Sequence, residues 1–179
     1  MTLPEPFERA VAQVAQALEA RGAVLATAES CTGGLLGAAL TCHAGSSRYY
    51  AGGLIAYDNA VKELLLAVPR ELLVAQGAVS APVAEAMACG AFAAFPQAHF
   101  VVAVTGIAGP GGATPGKPLG LVYLAVGARS GSVRVRECRF GGNREAVRFA
   151  AGQAAFEMVY EELLQTASCT RLPQDSQPM

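Results

Sequence analysis

The sequence predicts a three-layer α/β/α sandwich with a mixed sheet that includes one antiparallel hairpin. Three observations favour this fold class. Helical segments alternate with short apolar ones, two apolar segments flank a Gly/Ser turn, and 53% of the 179 residues are hydrophobic. That length and apolar content are typical of one domain with one core. We therefore expect a single domain over residues 1–165, followed by a disordered tail over 166–179.

The first half of the chain alternates helix and strand. Apolar residues at helical spacing predict a helix over 6–21, and the apolar run at 23–26 predicts a buried strand. A helix over 35–42 follows two glycines, and a polar turn at 44–47 leads to a second strand at 52–57. Further helices, each preceded by a turn or cap residue, are predicted over 59–64, 69–76 and 80–95.

The second half contains the clearest strand, the apolar run at 99–105, and then a long loop rich in glycine and proline. Such a loop without secondary structure is usually functional or mobile. Its residues 111–117 match the start of a phosphate-binding loop, but Pro118 stands where that motif needs a hydroxyl, so we reject an NTPase. A hairpin of two strands around a Gly/Ser turn and a last helix complete the chain, over 119–126, 132–140 and 144–165.

Charge and cysteine content exclude several kinds of site. The formal net charge is −1 and the arginines are spread along the chain, so no nucleic-acid-binding face is indicated. The five cysteines are odd in number and lack a C-x-x-C pair, which argues against a disulfide framework and a zinc site. No apolar run reaches the roughly 18 residues of a membrane span. With no signal peptide visible, free thiols in the cytoplasm fit best.

The turn between the first strand and the second helix carries the best candidates for chemistry. Ser30 and Cys31 are both potential nucleophiles, and two glycines follow them. The N–H groups of Gly33 and Gly34, at the positive end of a helix, can stabilise an oxyanion. The alternative is that Ser30 or Thr32 only caps the helix and that the glycines serve the turn.

An active site without histidine needs another base for a serine nucleophile. A lysine can serve if burial lowers its pKa, and of the two lysines Lys62 is the better candidate because Lys117 lies in the Gly/Pro loop. Tyr57 ends a predicted strand and Lys62 lies on the next helix, so both can face one cleft. A Ser-Tyr-Lys group of this kind suits amide hydrolysis. The competing group is Glu29, Cys31 and Lys62, in which the cysteine attacks an amide or a nitrile.

The arginine at position 144 is also a candidate. Arg144 lies in the first turn of the last helix, where a cation is unfavourable for the helix dipole. It gains from that position only if an anion binds there. The alternative is a solvated surface arginine.

Five motifs occur in an order that resembles one known family. They are Thr27–Gly34, Ala44–Ser47, Tyr57-x-Asn59-x-x-Lys62, Gly77–Ser80 and Thr105–Gly112. Together they resemble the CinA C-terminal domain family, the nicotinamide-nucleotide amidases, from the first helix to about residue 165. The resemblance implies an anticodon-binding-domain-like fold with one antiparallel strand. Full-length relatives also carry an N-terminal molybdopterin-binding-like domain, so we expect this chain to be the stand-alone form.

The resemblance implies hydrolysis of the carboxamide of nicotinamide mononucleotide to nicotinate mononucleotide and ammonia, in pyridine-nucleotide salvage. It implies no metal, no cofactor, no membrane or nucleic-acid partner, and a homodimer. Ser30 would be the nucleophile, with Tyr57 and Lys62 handling protons. Substrate contacts are expected at Glu29, Cys31, Thr32, Gly33, Gly34, Ser46, Ser47, Asn59, Thr105, Gly106, Gly109 and Arg144. The alternative function is a nucleotide- or partner-binding competence or damage accessory protein without turnover.

Overall fold

A computed structural model describes residues 3–169, with side chains through Thr166. Its helices cover Glu5–Ala20 (α1), Leu35–Thr41 (α2), Asn59–Leu66 (α3), Arg70–Gln76 (α4), Ala81–Ala94 (α5) and Arg144–Cys169 (α6). Its strands cover Leu25–Glu29 (β1), Tyr50–Ile55 (β2), Phe100–Gly106 (β3), Leu121–Ala128 (β4) and Val133–Arg139 (β5). A short 3-10 helix at Ser46–Arg48 precedes β2.

The strands form one mixed sheet in the order β2-β1-β3-β4-β5. β1 pairs in parallel with β2 and with β3, whereas β4 is antiparallel to both β3 and β5. β4 is therefore the strand that runs against the others, and it forms the predicted hairpin with β5. The predicted α/β fold class, with a mixed sheet between helices, is confirmed.

Helices cover both faces of the sheet and bury a separate apolar cluster on each. α1, α2 and α6 pack on one face, and α3, α4 and α5 pack on the other. Because alternate strand residues point to opposite faces, Leu25 of β1 joins the first cluster while Ala26 and Ala28 join the second. A Cβ at Gly90 of α5 would lie 2.0 Å from the Leu66 carbonyl oxygen, so α3 can approach α5 closely only because a glycine is there.

Three of the differences from the predicted element boundaries bear on the site or on the tail. β1 extends beyond Ala26 to Glu29, because the polar Thr27 and Glu29 are buried in a strand paired on both sides. β2 ends at Ile55, so Tyr57 lies in the connection that leads to α3. α6 ends at Cys169, so residues 166–169 of the predicted disordered tail are helical. The rest of that tail lies outside the described residues.

The helices of the described part of the chain differ in length and in apolar content. Within residues 3–169, none combines the length and the apolar content that crossing a lipid bilayer requires.

Candidate active site

A cavity of about 230 Å³ lies where the carboxyl ends of β1 and β3 meet at one edge of the sheet. Ligands of open α/β sheets usually bind at this edge. The lining residues come from four connections, the end of β3, α3 and the start of α6: Ser30, Cys31, Tyr57, Lys62, Ala78, Val79, Thr105, Gly106, Ile107, Ala108, Gly109, Gly111, Gly112 and Arg144. The cavity therefore brings together the predicted catalytic residues and five of the predicted substrate contacts, Cys31, Thr105, Gly106, Gly109 and Arg144.

The turn after β1 is built around the buried Glu29 carboxylate. Its oxygens accept hydrogen bonds from the N–H groups of Gly34 at 2.9 Å, Leu36 at 3.1 Å and Gly37 at 2.9 Å. Glu29 thus supplies the negative charge at the start of α2, where the helix dipole favours it. Glu29 does not line the cavity, so its predicted substrate contact is corrected, whereas the Glu29-Cys31-Lys62 group stays an alternative.

The predicted oxyanion donors need the same correction. The Gly33 N–H donates to the Ser30 carbonyl at 3.1 Å, and the Gly34 N–H is taken by Glu29. Both glycines have left-handed backbone, with φ of 59° and 90°, so they serve the turn. The N–H groups of Cys31 and Thr32 donate to no oxygen atom within residues 3–169. The N–H that follows a nucleophile is a common oxyanion donor, so these two groups replace the glycines as candidates.

Of the two potential nucleophiles, the environment favours the serine. Burial raises the pKa of the Cys31 thiol to about 11, so its reactive thiolate is scarce at neutral pH. Ser30 lines the cavity, and its hydroxyl forms no hydrogen bond with any described residue. A hydroxyl without a partner, in a cavity that also holds an amine, is available for transfer of its proton.

The amine in this cavity belongs to Lys62, whose side chain is only 1% exposed. Asp58 caps α3 by accepting from the Ala60 N–H at 2.8 Å, and Lys62 and Leu66, four residues apart, form the buried side of this helix. The Lys62 Nζ donates to the Tyr57 carbonyl oxygen at 2.9 Å.

Burial shifts the pKa of this lysine. It lowers the pKa of Lys62 below its ordinary value, and the Asp58 carboxylate and the Cys31 thiol offset the shift only in part. Nζ does not hydrogen-bond to the Ser30 hydroxyl in the described chain, although both line the cavity. Catalytic hydrogen bonds commonly tighten only when substrate binds.

Tyr57 and Arg144 form the mouth of the cavity. The Tyr57 ring is 59% exposed, and its hydroxyl accepts from Arg144 Nη2 at 3.1 Å. Arg144 Nη1 donates to the Gly109 carbonyl at 2.8 Å and so ties α6 to the glycine-rich loop. Tyr57 therefore orients Lys62 through its backbone carbonyl, while its phenol is directed to Arg144.

Two side chains hold the wall of the cavity formed by Ala78 and Val79. The Thr105 hydroxyl donates to the Ala78 carbonyl at 2.8 Å, which ties this wall to the end of β3. Lys117 Nζ donates to the Gln76 carbonyl at the end of α4. Lys117 thus links the glycine-rich loop to α4 from outside the cavity.

Besides Glu29, Gly33 and Gly34, four more of the predicted contacts do not line the cavity. Ser46 and Ser47 precede β2, and because β2 runs parallel to β1 they lie at the opposite edge of the sheet. Asn59 is exposed in the first turn of α3 and does not line the cavity. Thr32 is fully buried and its hydroxyl has no hydrogen-bond partner within residues 3–169. Within one chain, the side chains of these four residues therefore do not line the cavity.

Arg148 is the residue near this site that the sequence reasoning missed. Its guanidinium donates to the Thr32 carbonyl from Nη2 at 2.6 Å and from Nε at 3.2 Å. The available signal was its spacing from Arg144, because residues four apart share one face of a helix.

The charges around the cavity are mostly positive and unpaired. Within residues 3–169, five arginines form ion pairs with carboxylates, namely Arg9, Arg48, Arg134, Arg136 and Arg139. Lys117, Arg144 and Arg148 form none in the same part of the chain. Cations near a cavity that lack carboxylate partners favour an anionic ligand. No cluster of three His, Cys, Asp or Glu side chains suited to a metal ion occurs among the described residues.

A larger cavity of about 560 Å³ lies at the opposite edge of the sheet. Its two arginines already have protein partners. Arg21 donates to the Leu163 carbonyl, and Arg129 donates to the carbonyls of Ala98, Phe92 and Phe95. Among its described lining residues, the larger cavity has no nucleophile paired with a buried base. The smaller cavity is therefore the better candidate for chemistry.

The sequence matches the family model of the CinA C-terminal domain over residues 7–163. The CinA-like protein of Mycolicibacterium gilvum is 51% identical over 142 residues, which are 79% of this chain and 33% of that protein. The CinA-like protein of Acidobacterium capsulatum is 51% identical over 147 residues, which are 82% of this chain and 35% of that protein. The chain thus spans about a third of the length of these curated relatives.

Solved structures resemble the whole domain. The competence/damage inducible protein CihA of Agrobacterium tumefaciens has a TM-score of 0.87 and 42% identity, covering 90% of this chain and 98% of that one. A competence-damaged protein (CinA) superfamily member from Klebsiella pneumoniae has a TM-score of 0.84 and 36% identity, covering 89% and 98%.

Proposed function

The chain belongs to the CinA C-terminal domain family, and we propose that it hydrolyses the carboxamide of nicotinamide mononucleotide to nicotinate mononucleotide and ammonia. One observation carries the proposal. An unpartnered Ser30 hydroxyl and the buried Lys62 amine, whose pKa is lowered, line the same small cavity. A nucleophile and a base in one cavity suit acyl transfer from an amide.

The reaction proceeds in two steps on the same residues. Neutral Lys62 takes the Ser30 proton while Oγ attacks the carboxamide carbon, and the N–H groups of Cys31 and Thr32 stabilise the oxyanion. The C–N bond then breaks as Lys62 returns the proton to the leaving nitrogen. Ammonia departs, and the acyl group of the substrate stays on Ser30 as an ester. In the second step Lys62 deprotonates a water molecule that hydrolyses the ester, which releases the carboxylate and restores the hydroxyl.

The phosphate of the substrate would bind near Arg144. This guanidinium lines the cavity mouth, and its partners in the free protein are the Gly109 carbonyl and the Tyr57 hydroxyl, both uncharged. A phosphate would replace these neutral acceptors with charged ones, and charge-assisted hydrogen bonds are the stronger kind. Arg144 would then hold the anionic end while the ring amide reaches Ser30.

An ammonia-release assay on four amides tests the proposal. We expect turnover of nicotinamide mononucleotide, and a kcat/KM for nicotinamide riboside that is roughly 10- to 100-fold lower, because each charge-assisted hydrogen bond contributes about 1.5–3 kcal/mol. Free nicotinamide and the dinucleotide should react more slowly still. Equal kcat/KM for the mononucleotide and the riboside would contradict an anion site at Arg144.

The panel also separates the amidase from its alternative. Calorimetric binding of the mononucleotide without ammonia release at high protein concentration would identify a nucleotide-binding module instead. The solved relatives are named for competence and damage, and such an accessory role is the alternative that this outcome would support. The homodimer stays a prediction.

A further inference from the structure

We propose that Arg148 is a positioning residue, which fixes the turn that carries Ser30 without contacting the substrate. The inference rests on the proposed amidase function, since it concerns the geometry of that nucleophile. Arg148 is not among the residues that line the cavity. It acts through the Thr32 carbonyl, two residues after Ser30 in the chain.

The first argument is the hydrogen bonding of this carbonyl. The Thr32 oxygen accepts from the Leu35 N–H at 3.3 Å and from two nitrogens of Arg148, the shorter contact being 2.6 Å. A charged, two-nitrogen contact restrains the orientation of a carbonyl more than one neutral bond does. The peptide plane of Thr32 is thereby fixed from α6, an element remote in sequence.

The second argument is that the turn is restrained from both sides by opposite charges. The Glu29 carboxylate accepts from the N–H groups of Gly34 in the turn and of Leu36 and Gly37 in α2, and the Arg148 guanidinium donates to the Thr32 carbonyl. Each charge meets the backbone group of opposite polarity. The segment between them, from Ser30 to Thr32, contains both the nucleophile and the candidate oxyanion donors.

The third argument is the placement of Arg148 on α6. Arg144 and Arg148 lie one helical turn apart, and they bind the Gly109 and Thr32 carbonyls respectively. One helix face therefore holds both the glycine-rich loop and the nucleophile turn, and residues of both line the cavity. Loss of Arg148 would release the nucleophile side while the loop remains attached.

Mutation of Arg148 should therefore impair chemistry more than binding. A displacement of about 1 Å at reacting atoms can cost roughly 100-fold in rate. We expect Arg148→Met to lower kcat by about 10- to 100-fold with little change in KM, and Arg148→Lys to recover most of the loss, since an ammonium can still donate to the carbonyl.

Arg129→Met is the matched control. Arg129 also donates to backbone carbonyls, those of Ala98, Phe92 and Phe95, but at the opposite edge of the sheet. This variant should lose thermal stability and keep the kcat of the parent protein. A general loss of stability therefore cannot reproduce the expected split between the two arginines.

Hydrogen exchange provides a readout that does not depend on turnover. The amides of Gly34, Leu36 and Gly37 should exchange faster in Arg148→Met than in the parent protein and in Arg129→Met. If the parent protein releases ammonia but Arg148→Met has the same kcat, the positioning role is wrong. If no amide is hydrolysed at all, the amidase proposal fails, and exchange alone decides whether Arg148 orders the turn; unchanged protection would overturn it.

Discussion

Ser30→Ala is expected to lower kcat for ammonia release by roughly 10⁴-fold or more, the scale seen when a nucleophile is removed. The hydroxyl oxygen of Ser30 forms the covalent ester, and no other described side chain in the cavity can replace it as the nucleophile at neutral pH. Binding of the mononucleotide should remain measurable by calorimetry, because the serine contributes little to holding the substrate. Steady-state ammonia release and calorimetry on the same preparation check both parts.

Cys31→Ala is the control for this variant. The thiol pKa of about 11 makes Cys31 a poor nucleophile, so its removal should leave an active enzyme. The reverse result, an inactive Cys31→Ala beside an active Ser30→Ala, would replace the serine mechanism with a cysteine one.

Lys62→Met is expected to lower kcat by roughly 10²- to 10⁴-fold, the contribution typical of general acid–base catalysis. Methionine retains much of the length and volume of the side chain but cannot accept a proton. Lys117→Met is the matched control, because Lys117 binds the Gln76 carbonyl outside the cavity and should affect kcat far less.

Lys62→Met should also be more stable than the parent protein at neutral pH. Burial lowers the Lys62 pKa in the folded state below the ordinary 10.5, so the unfolded chain binds the proton more tightly. The resulting penalty is full below the folded-state pKa and disappears as pH rises to the unfolded value. The gain in melting temperature of Lys62→Met should therefore shrink with rising pH, and a constant difference would show that Lys62 carries no such penalty.

The fold was predictable because its signals are local. The apolar run of β3, the helical spacing in α1 and the Gly/Ser turn of the hairpin each reflect the immediate sequence. Strand ends were less predictable. β1 continues through Thr27 and Glu29 because its neighbours β2 and β3 bury them, which no local pattern reveals.

The site was predictable only in part for a related reason. The family resemblance assigned Ser30, Lys62 and Arg144 to one site, and they line one cavity because parallel strands direct their carboxyl ends to one edge. It could not show that Glu29 turns back to hold α2, because the direction of a side chain at a strand end depends on tertiary packing. It also grouped Ser46 with these residues, although that position precedes its strand and lies at the other edge.

The central claim is that Lys62 acts as a neutral base toward Ser30, and a carbon-13 NMR titration of labelled lysine tests it most directly. The chain has only two lysines, so two Cε signals are expected, and Lys62→Met assigns them. The account predicts that Lys62 titrates below the ordinary lysine value of 10.5 and that kcat/KM rises with pH around the same pKa. A Lys62 signal that titrates at or above 10.5, or a pH–rate profile that is unrelated to it, would contradict the mechanism.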